Sequence, residues 1–172
     1  LSLVGSEMCI RDRLNAIHGL FRVTDRVYQV RGFDIANMTI VEGDSTLIVI
    51  DPLLAAETAR AALALYYQHR PRKPVGTVVY THGHADHFGG VKGVVDEADV
   101  AAGKVQVIAP SGFMETAVAE NILAGNAMSR RSQYQFGSLL PPGVRGQVDT
   151  GLGKALARGT CLLYTSDAAD ER

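Results

Sequence analysis

The sequence predicts an α/β fold with its functional site at strand ends, and three observations carry that reading. Short β-branched and apolar runs fill the first third of the chain, and one strongly helical tract follows them. A further strand-like run then leads straight into a loop loaded with histidine, Thr81-His82-Gly83-His84-Ala85-Asp86-His87-Phe88-Gly89-Gly90. Strand, helix, strand and then a polar loop is how α/β layers place ligands at the carboxyl ends of their strands.

The elements follow in order. Phe21 to Val23 and Val27 to Val30 flank Thr24-Asp25-Arg26, which reads as a tight hairpin. Asn37 to Val41 and Thr46 to Ile50 are separated by Glu42-Gly43-Asp44-Ser45, a second hairpin whose Gly and Asp tolerate positive φ. Thr46 to Ile50 is almost unbroken apolar, the pattern of a strand covered on both faces, and it stops at Asp51-Pro52 because proline cannot donate to a ladder. Ala55 to His69 is rich in Ala and Leu and reads as an amphipathic helix ending before Pro71. Val75 to Tyr80 is the strand that delivers the histidine loop. Beyond Gly90 come a short helical segment to about Val95, an acidic stretch through Asp99 and a buried strand, Val105 to Ile108, closed by Pro110. Ser111 is placed to cap a helix beginning near Gly112. A long helical tract runs from Met114 to about Tyr134, with a break expected at Gly125, and Leu139 to Gly153 reads as loop.

Bulk properties restrict the classes of function. A length of 172 residues suits one domain with a sizeable core. With 17 basic and 18 acidic residues the formal charge is -1, which gives no footprint for nucleic acid and no pull toward anionic membranes. No apolar run approaches the roughly 18 residues of a membrane span.

The two ends are expected to be foreign to the fold. Leu1 to Arg13 has no signal-peptide pattern, and Cys161 to Arg172 suits no fold element. Cys161 to Ser166 can be written TGT CTC TTA TAC ACA TCT. Its reverse complement encodes the end of Glu7 and then Met8 to Asp12, the inverted repeat a transposase-tagged library insert leaves at both ends. The expected native stretch is therefore Leu14 to Thr160, part of a longer catalytic domain, with residues 1–13 and 161–172 derived from adaptor. Both cysteines, Cys9 and Cys161, then fall outside it, so it offers neither disulfide nor thiolate ligand. It carries 14 basic and 13 acidic residues, a formal +1.

The motif's spacing has a chemical meaning. H-x-H-x-D-H arises by chance in about 3 of 10,000 chains of this composition. His82 and His84 are two apart, so in an extended segment both imidazoles point the same way and reach one ion. Asp86 and His87 point differently and can address a second ion. Imidazole and carboxylate without thiolate suit zinc, and also iron or manganese. Gly83 leaves the backbone free to bend, Phe88 is expected behind the ligands in a dry layer, and Gly89 and Gly90 let the backbone pass close to the metals.

This motif resembles the signature of the metallo-β-lactamase superfamily. Tyr28 to Thr39 (YQVRGFDIANMT), Val94 to Val100 (VVDEADV) and Ala119 to Arg131 (AENILAGNAMSRR) further resemble the linear alkyl sulfatases, the dodecyl-sulfate hydrolases, over essentially all of Leu14 to Thr160. The resemblance implies an incomplete αββα sandwich. It implies that His82 and His84 bind a first Zn2+ and Asp86 and His87 a second, two per full-length chain. Asp51 would orient the ligands from behind. The implied reaction is hydrolysis of a primary alkyl sulfate, a small-molecule substrate, to alcohol and sulfate by metal-activated water, with Asp86 in the catalytic set. The resemblance suggests a periplasmic or secreted protein and admits a homodimer of the full-length protein. The further carboxylate and histidine ligands of the family are not in this chain, whose last histidine is His87, so the chain itself is expected to be inactive and to expose an apolar face. Two alternatives stay open: a thioesterase of the glyoxalase II kind, and a non-catalytic module of the same fold.

Other polar residues have plainer readings. Glu120, Asn121, Asn126, Arg130 and Arg131 could line a sulfate pocket, but a solvated helix face or subunit contact accounts for them more simply. Arg31 to Asn37 reads equally well as a substrate loop or as a connection. His18 and His69 are expected on the surface, and Tyr66, Tyr67, Tyr134 and Phe136 are expected to be packing aromatics.

Overall fold

The structure is a computed structural model that describes residues 16–143, 145–147, 150, 163 and 166–167. The expected boundaries at Arg13 and Thr160, and most of both end segments, lie outside the described residues.

Among the described residues seven strands form one sheet in sequence order: β1 (Gly19–Arg22), β2 (Val27–Arg31), β3 (Met38–Glu42), β4 (Leu47–Ile50), β5 (Val75–Val79), β6 (Gln106–Ala109) and β7 (Ser166–Asp167). β1 to β4 are antiparallel, as two tight hairpins require, and Gly43 N–H donates to the Thr46 carbonyl across the second turn. From β4 onward the pairing is parallel, because α1 (Ala56–His69) carries the chain back between β4 and β5. The tail Cys161 to Arg172, expected to form no element, contributes β7. The free edge of β6 pairs with Ser166–Asp167, and Tyr80 Oη donates to the Leu163 carbonyl at 2.7 Å.

α1 buries Ala59, Ala62, Leu63 and Tyr66, a stripe at the i, i+3, i+4, i+7 spacing of one helix face, against the core of the sheet. β4 departs from expectation. Leu47 and Val49 are fully buried under that core, but Ile48 and Ile50 on the other face are only half-buried, so the described residues cover one face and not both. A single covered sheet is what an αββα sandwich looks like with only its first sheet in place.

One charged group is locked inside this layer. Glu42, read from the sequence as a turn residue, closes β3 and is buried. Its Oε1 accepts from Tyr66 Oη at 2.6 Å and from Arg70 Nε at 2.7 Å, and its Oε2 accepts from Arg70 Nη2 at 2.9 Å. The Arg70 guanidinium leads in holding the Glu42 carboxyl down at about 2, against the opposing effect of burial and with help from the Tyr66 hydroxyl. The end of α1 is thereby tied to the end of β3.

After β5 come α2 (Ala85–Phe88), a 3-10 turn at Val91–Gly93, and α3 (Glu97–Ala101), which makes the acidic stretch a helix whose first turn holds Glu97 and Asp99. α4 (Phe113–Val118) starts from Gly112 in the left-handed conformation, φ 72°, with no side-chain cap, so Ser111 does not cap it. The expected long helix is three pieces: α4, a π turn at Ala119–Leu123, and α5 (Gly125–Phe136). The interruption falls at Ala124, and Gly125 opens the next helix. Pro142 and Gln147 bridge the loop that follows, whose residues 144, 148–149 and 151–153 lie outside the described residues.

Tyr66 and Tyr67 are packing aromatics, and His18 and His69 are exposed, as expected. Tyr134 is not a packing residue: it is 90% exposed on α5, whose buried face is empty among the described residues.

Candidate metal centre

The site sits at the carboxyl ends of β4 and β5, where the chain leaves two adjacent parallel strands. β4 ends at Ile50, and Asp51 takes φ 55°, a left-handed value that Asp tolerates better than most side chains. The turn is held by the Asp51 N–H to the Val79 carbonyl at 3.0 Å and by the Leu53 N–H to the Asp51 carbonyl at 2.9 Å. It aims a buried carboxylate across at β5. Asp51 Oδ1 accepts from the Thr81 N–H at 2.8 Å, and Oδ2 accepts from Thr81 Oγ1 at 2.6 Å and from His87 Nδ1 at 2.8 Å.

The histidine loop is not extended from His82 to His84 as expected: it bends at His82 and Gly83, is extended at His84 (φ -76°, ψ 136°) and then turns helical in α2. Within this turn the rings of His84 and His87 both approach that of His82. The His82 ring lies 4.4 Å from that of His84 and 4.1 Å from that of His87, centroid to centroid. Behind them Phe88 is buried against Tyr80 and Phe113, with centroids 5.9 and 5.4 Å away, the dry layer expected of it.

The glycines act differently from expectation. A Cβ on Gly90 would strike the carbonyl oxygens of Pro52 and Ala55, and the Gly90 N–H donates to the Leu53 carbonyl at 2.8 Å. Gly90 therefore lets the loop lie against the turn after β4 and the start of α1. A Cβ on Gly83 would come within 3.1 Å of Thr116 Cγ2 and 3.2 Å of the Ala117 nitrogen, so α4 packs directly on the bend between His82 and His84.

Electrostatics tie the ligand candidates together. His87 is pushed up to about 9, first by its hydrogen bond to Asp51 and next by Asp86, whose Oδ2 lies 3.3 Å from Nε2. Burial raises the Asp86 carboxyl, but the His87 hydrogen bond and charge outweigh it and leave it below the ordinary carboxylate value. Burial lowers His82, with the neighbouring His87 and His84 adding to the effect. A cation reaching His87 Nε2 would displace a proton.

Three imidazoles and a carboxylate with no thiolate match a zinc-type ion in chemistry, and the His82 ring lies close to those of both His84 and His87. Their nitrogens are engaged otherwise in this structure: His84 Nε2 faces Glu120 Oε1 at 3.0 Å, and His82 Nδ1 lies 2.9 Å from Thr81 Oγ1. Among the described residues no three His, Cys, Asp or Glu groups are already arranged to hold an ion.

Residues that the sequence leaves unassigned also reach this region. Asp34, in the Arg31 to Asn37 stretch, is buried and accepts from the Ile35 N–H, the Leu54 N–H and Thr58 Oγ1, latching that stretch to the start of α1. Glu120 and Asn121 come in from the π turn, Asn121 donating to the Gly83 carbonyl at 3.1 Å. Asn126, Arg130 and Arg131 belong to α5.

The sequence profile of the Metallo-beta-lactamase superfamily matches residues 31–170. The chain belongs to the metallo-β-lactamase superfamily. Within that superfamily it is 68% identical over 151 residues to the alkyl/aryl-sulfatase BDS1 of Saccharomyces cerevisiae, an alignment covering 88% of this chain and 23% of that protein. It is 60% identical over 153 residues to a linear primary-alkylsulfatase of a Pseudomonas species, covering 89% of this chain and 23% of that protein. The solved structure of the stereoselective inverting sec-alkylsulfatase Pisa1 from Pseudomonas superposes with a TM-score of 0.79 at 63% identity, over 87% of this chain and 24% of that one. The chain thus spans about a quarter of the length of the relatives it matches. No helix among the described residues is long and apolar enough to cross a membrane.

Proposed function

We propose that this chain carries the histidine half of the metal centre of an alkyl sulfatase, a hydrolase that converts an alkyl sulfate and water into an alcohol and sulfate. One observation carries the reading: identity of 60–68% to proteins named as alkylsulfatases runs through the stretch in which His82, His84 and His87 cluster and Asp51 holds His87. Primary, secondary and aryl-accepting enzymes all occur among the named relatives, so the class proposed is alkyl sulfate, with linear primary esters as first choice.

In this reading His82 and His84 hold one Zn2+, Asp86 and His87 a second, and Asp51 fixes the His87 ring. Bound zinc supplies a Lewis acid and a water acidified to near neutrality. The chain's own contribution is to orient three imidazoles at the strand ends and to keep the layer behind them dry with Phe88. Two ligands per ion fall short of the three or so that a catalytic zinc takes, and no histidine follows His87, so the 172-residue chain alone is expected to be inactive.

The test is an assay of the full-length gene product for sulfate release from dodecyl sulfate, run beside hydrolysis of a glutathione thioester. Sulfate release supports the proposal, and thioester hydrolysis without sulfate release would sink it.

A further inference from the structure

The π turn at Ala119–Leu123 touches the histidine loop with two consecutive side chains. Glu120 Oε1 lies 3.0 Å from His84 Nε2, and Asn121 Nδ2 donates both to the Gly83 carbonyl at 3.1 Å and to the Ala117 carbonyl at 2.8 Å. Neighbours on a regular α-helix diverge by about 100°. Here the turn is widened to the i→i+5 pattern, a form often found at functional sites, and both residues reach the same loop. The packing of Thr116 and Ala117 on Gly83 brings the turn that close.

A bond between two partly exposed side chains contributes little stability, since solvent screens it and both side chains lose freedom in holding it. The His84 side chain is 50% exposed and that of Glu120 26%, so the pair explains little about folding. Its effect on His84 is specific, however. A carboxylate accepting from Nε2–H leaves Nδ1 as the ring's lone-pair donor and fixes the ring's rotation.

We propose that Glu120 and Asn121 are positioning residues of the metal centre. Glu120 selects the Nε2–H tautomer of His84 and turns its Nδ1 toward the ion, and Asn121 holds the Gly83 carbonyl and so sets the bend that brings His82 and His84 together. This rests on reading the motif as a metal site and is independent of which ester is hydrolysed.

The test uses the full-length gene product and measures zinc affinity by competition with a chromophoric chelator, the absorption spectrum of the cobalt(II)-substituted protein, and the thermal midpoint. Glu120→Ala is expected to weaken zinc binding 10–100-fold and to alter the cobalt spectrum while leaving the thermal midpoint of the metal-free protein unchanged. Glu120→Gln, which keeps an acceptor oxygen, should restore most of the affinity, and Asn121→Ala should weaken zinc as Glu120→Ala does. Glu115→Ala, exposed on α4, is the control expected to match the parent. Parent-like zinc affinity and cobalt spectrum in both alanine variants would overturn the positioning roles and leave the metal site standing. A parent protein that binds no zinc would overturn the metal reading, and the positioning roles with it.

Discussion

His87 donates through Nδ1 to Asp51 Oδ2 at 2.8 Å, joining the loop after β5 to the turn after β4 across 36 residues of sequence. The same carboxylate takes the Thr81 N–H and hydroxyl, so one buried aspartate, held at φ 55°, sets the start of the loop and its last histidine together.

Asp51→Asn replaces an acceptor by an amide that must present its NH2 to one of these donors. The expected result is a 10–100-fold loss of zinc affinity in the full-length gene product, read by chelator competition. Unchanged affinity would mean that Asp51 serves the turn alone.

The Glu42 lock predicts an acid-side stability change. Its folded carboxyl lies at about 2 against an ordinary 4.5, so its stabilisation is fully present above about pH 4.5 and is lost as pH falls toward 2. Urea midpoints measured between pH 6 and 2 should fall more steeply for the parent than for Glu42→Gln, which no longer titrates.

Gly90→Ala should destabilise by about 1–3 kcal/mol, because its Cβ would strike the Pro52 and Ala55 carbonyls. Gly93→Ala, which would strike the Ala56 carbonyl, should behave alike. Gly125→Ala, whose new Cβ would meet nothing within 4 Å beyond its chain neighbours and its own helix backbone, should instead stabilise by about 0.4–1 kcal/mol through the unfolded chain. Urea unfolding of the three variants gives the order.

The parts of this fold that sequence makes legible are those written in local pattern. Two hairpins follow from Thr24-Asp25-Arg26 and Glu42-Gly43-Asp44-Ser45, α1 from its Ala and Leu content, and the site's position from a β-branched run ending in histidines. Contacts between distant segments are not written that way. Glu42 looks like a turn residue until α1 brings Tyr66 and Arg70 to it. Glu120 and Asn121 look like a solvated helix face because nothing in their neighbourhood marks a π turn or its approach to Gly83. β7 forms because β6 presents an open edge, a property of the sheet that Ser166 and Asp167 do not carry themselves.

Metal analysis of the full-length gene product tests most directly whether the histidine loop is a metal centre. The expected result is two zinc ions per chain, with loss of bound metal in His82→Ala and in His87→Ala. A parent protein purified with zinc present that retains well under one ion per chain would contradict it.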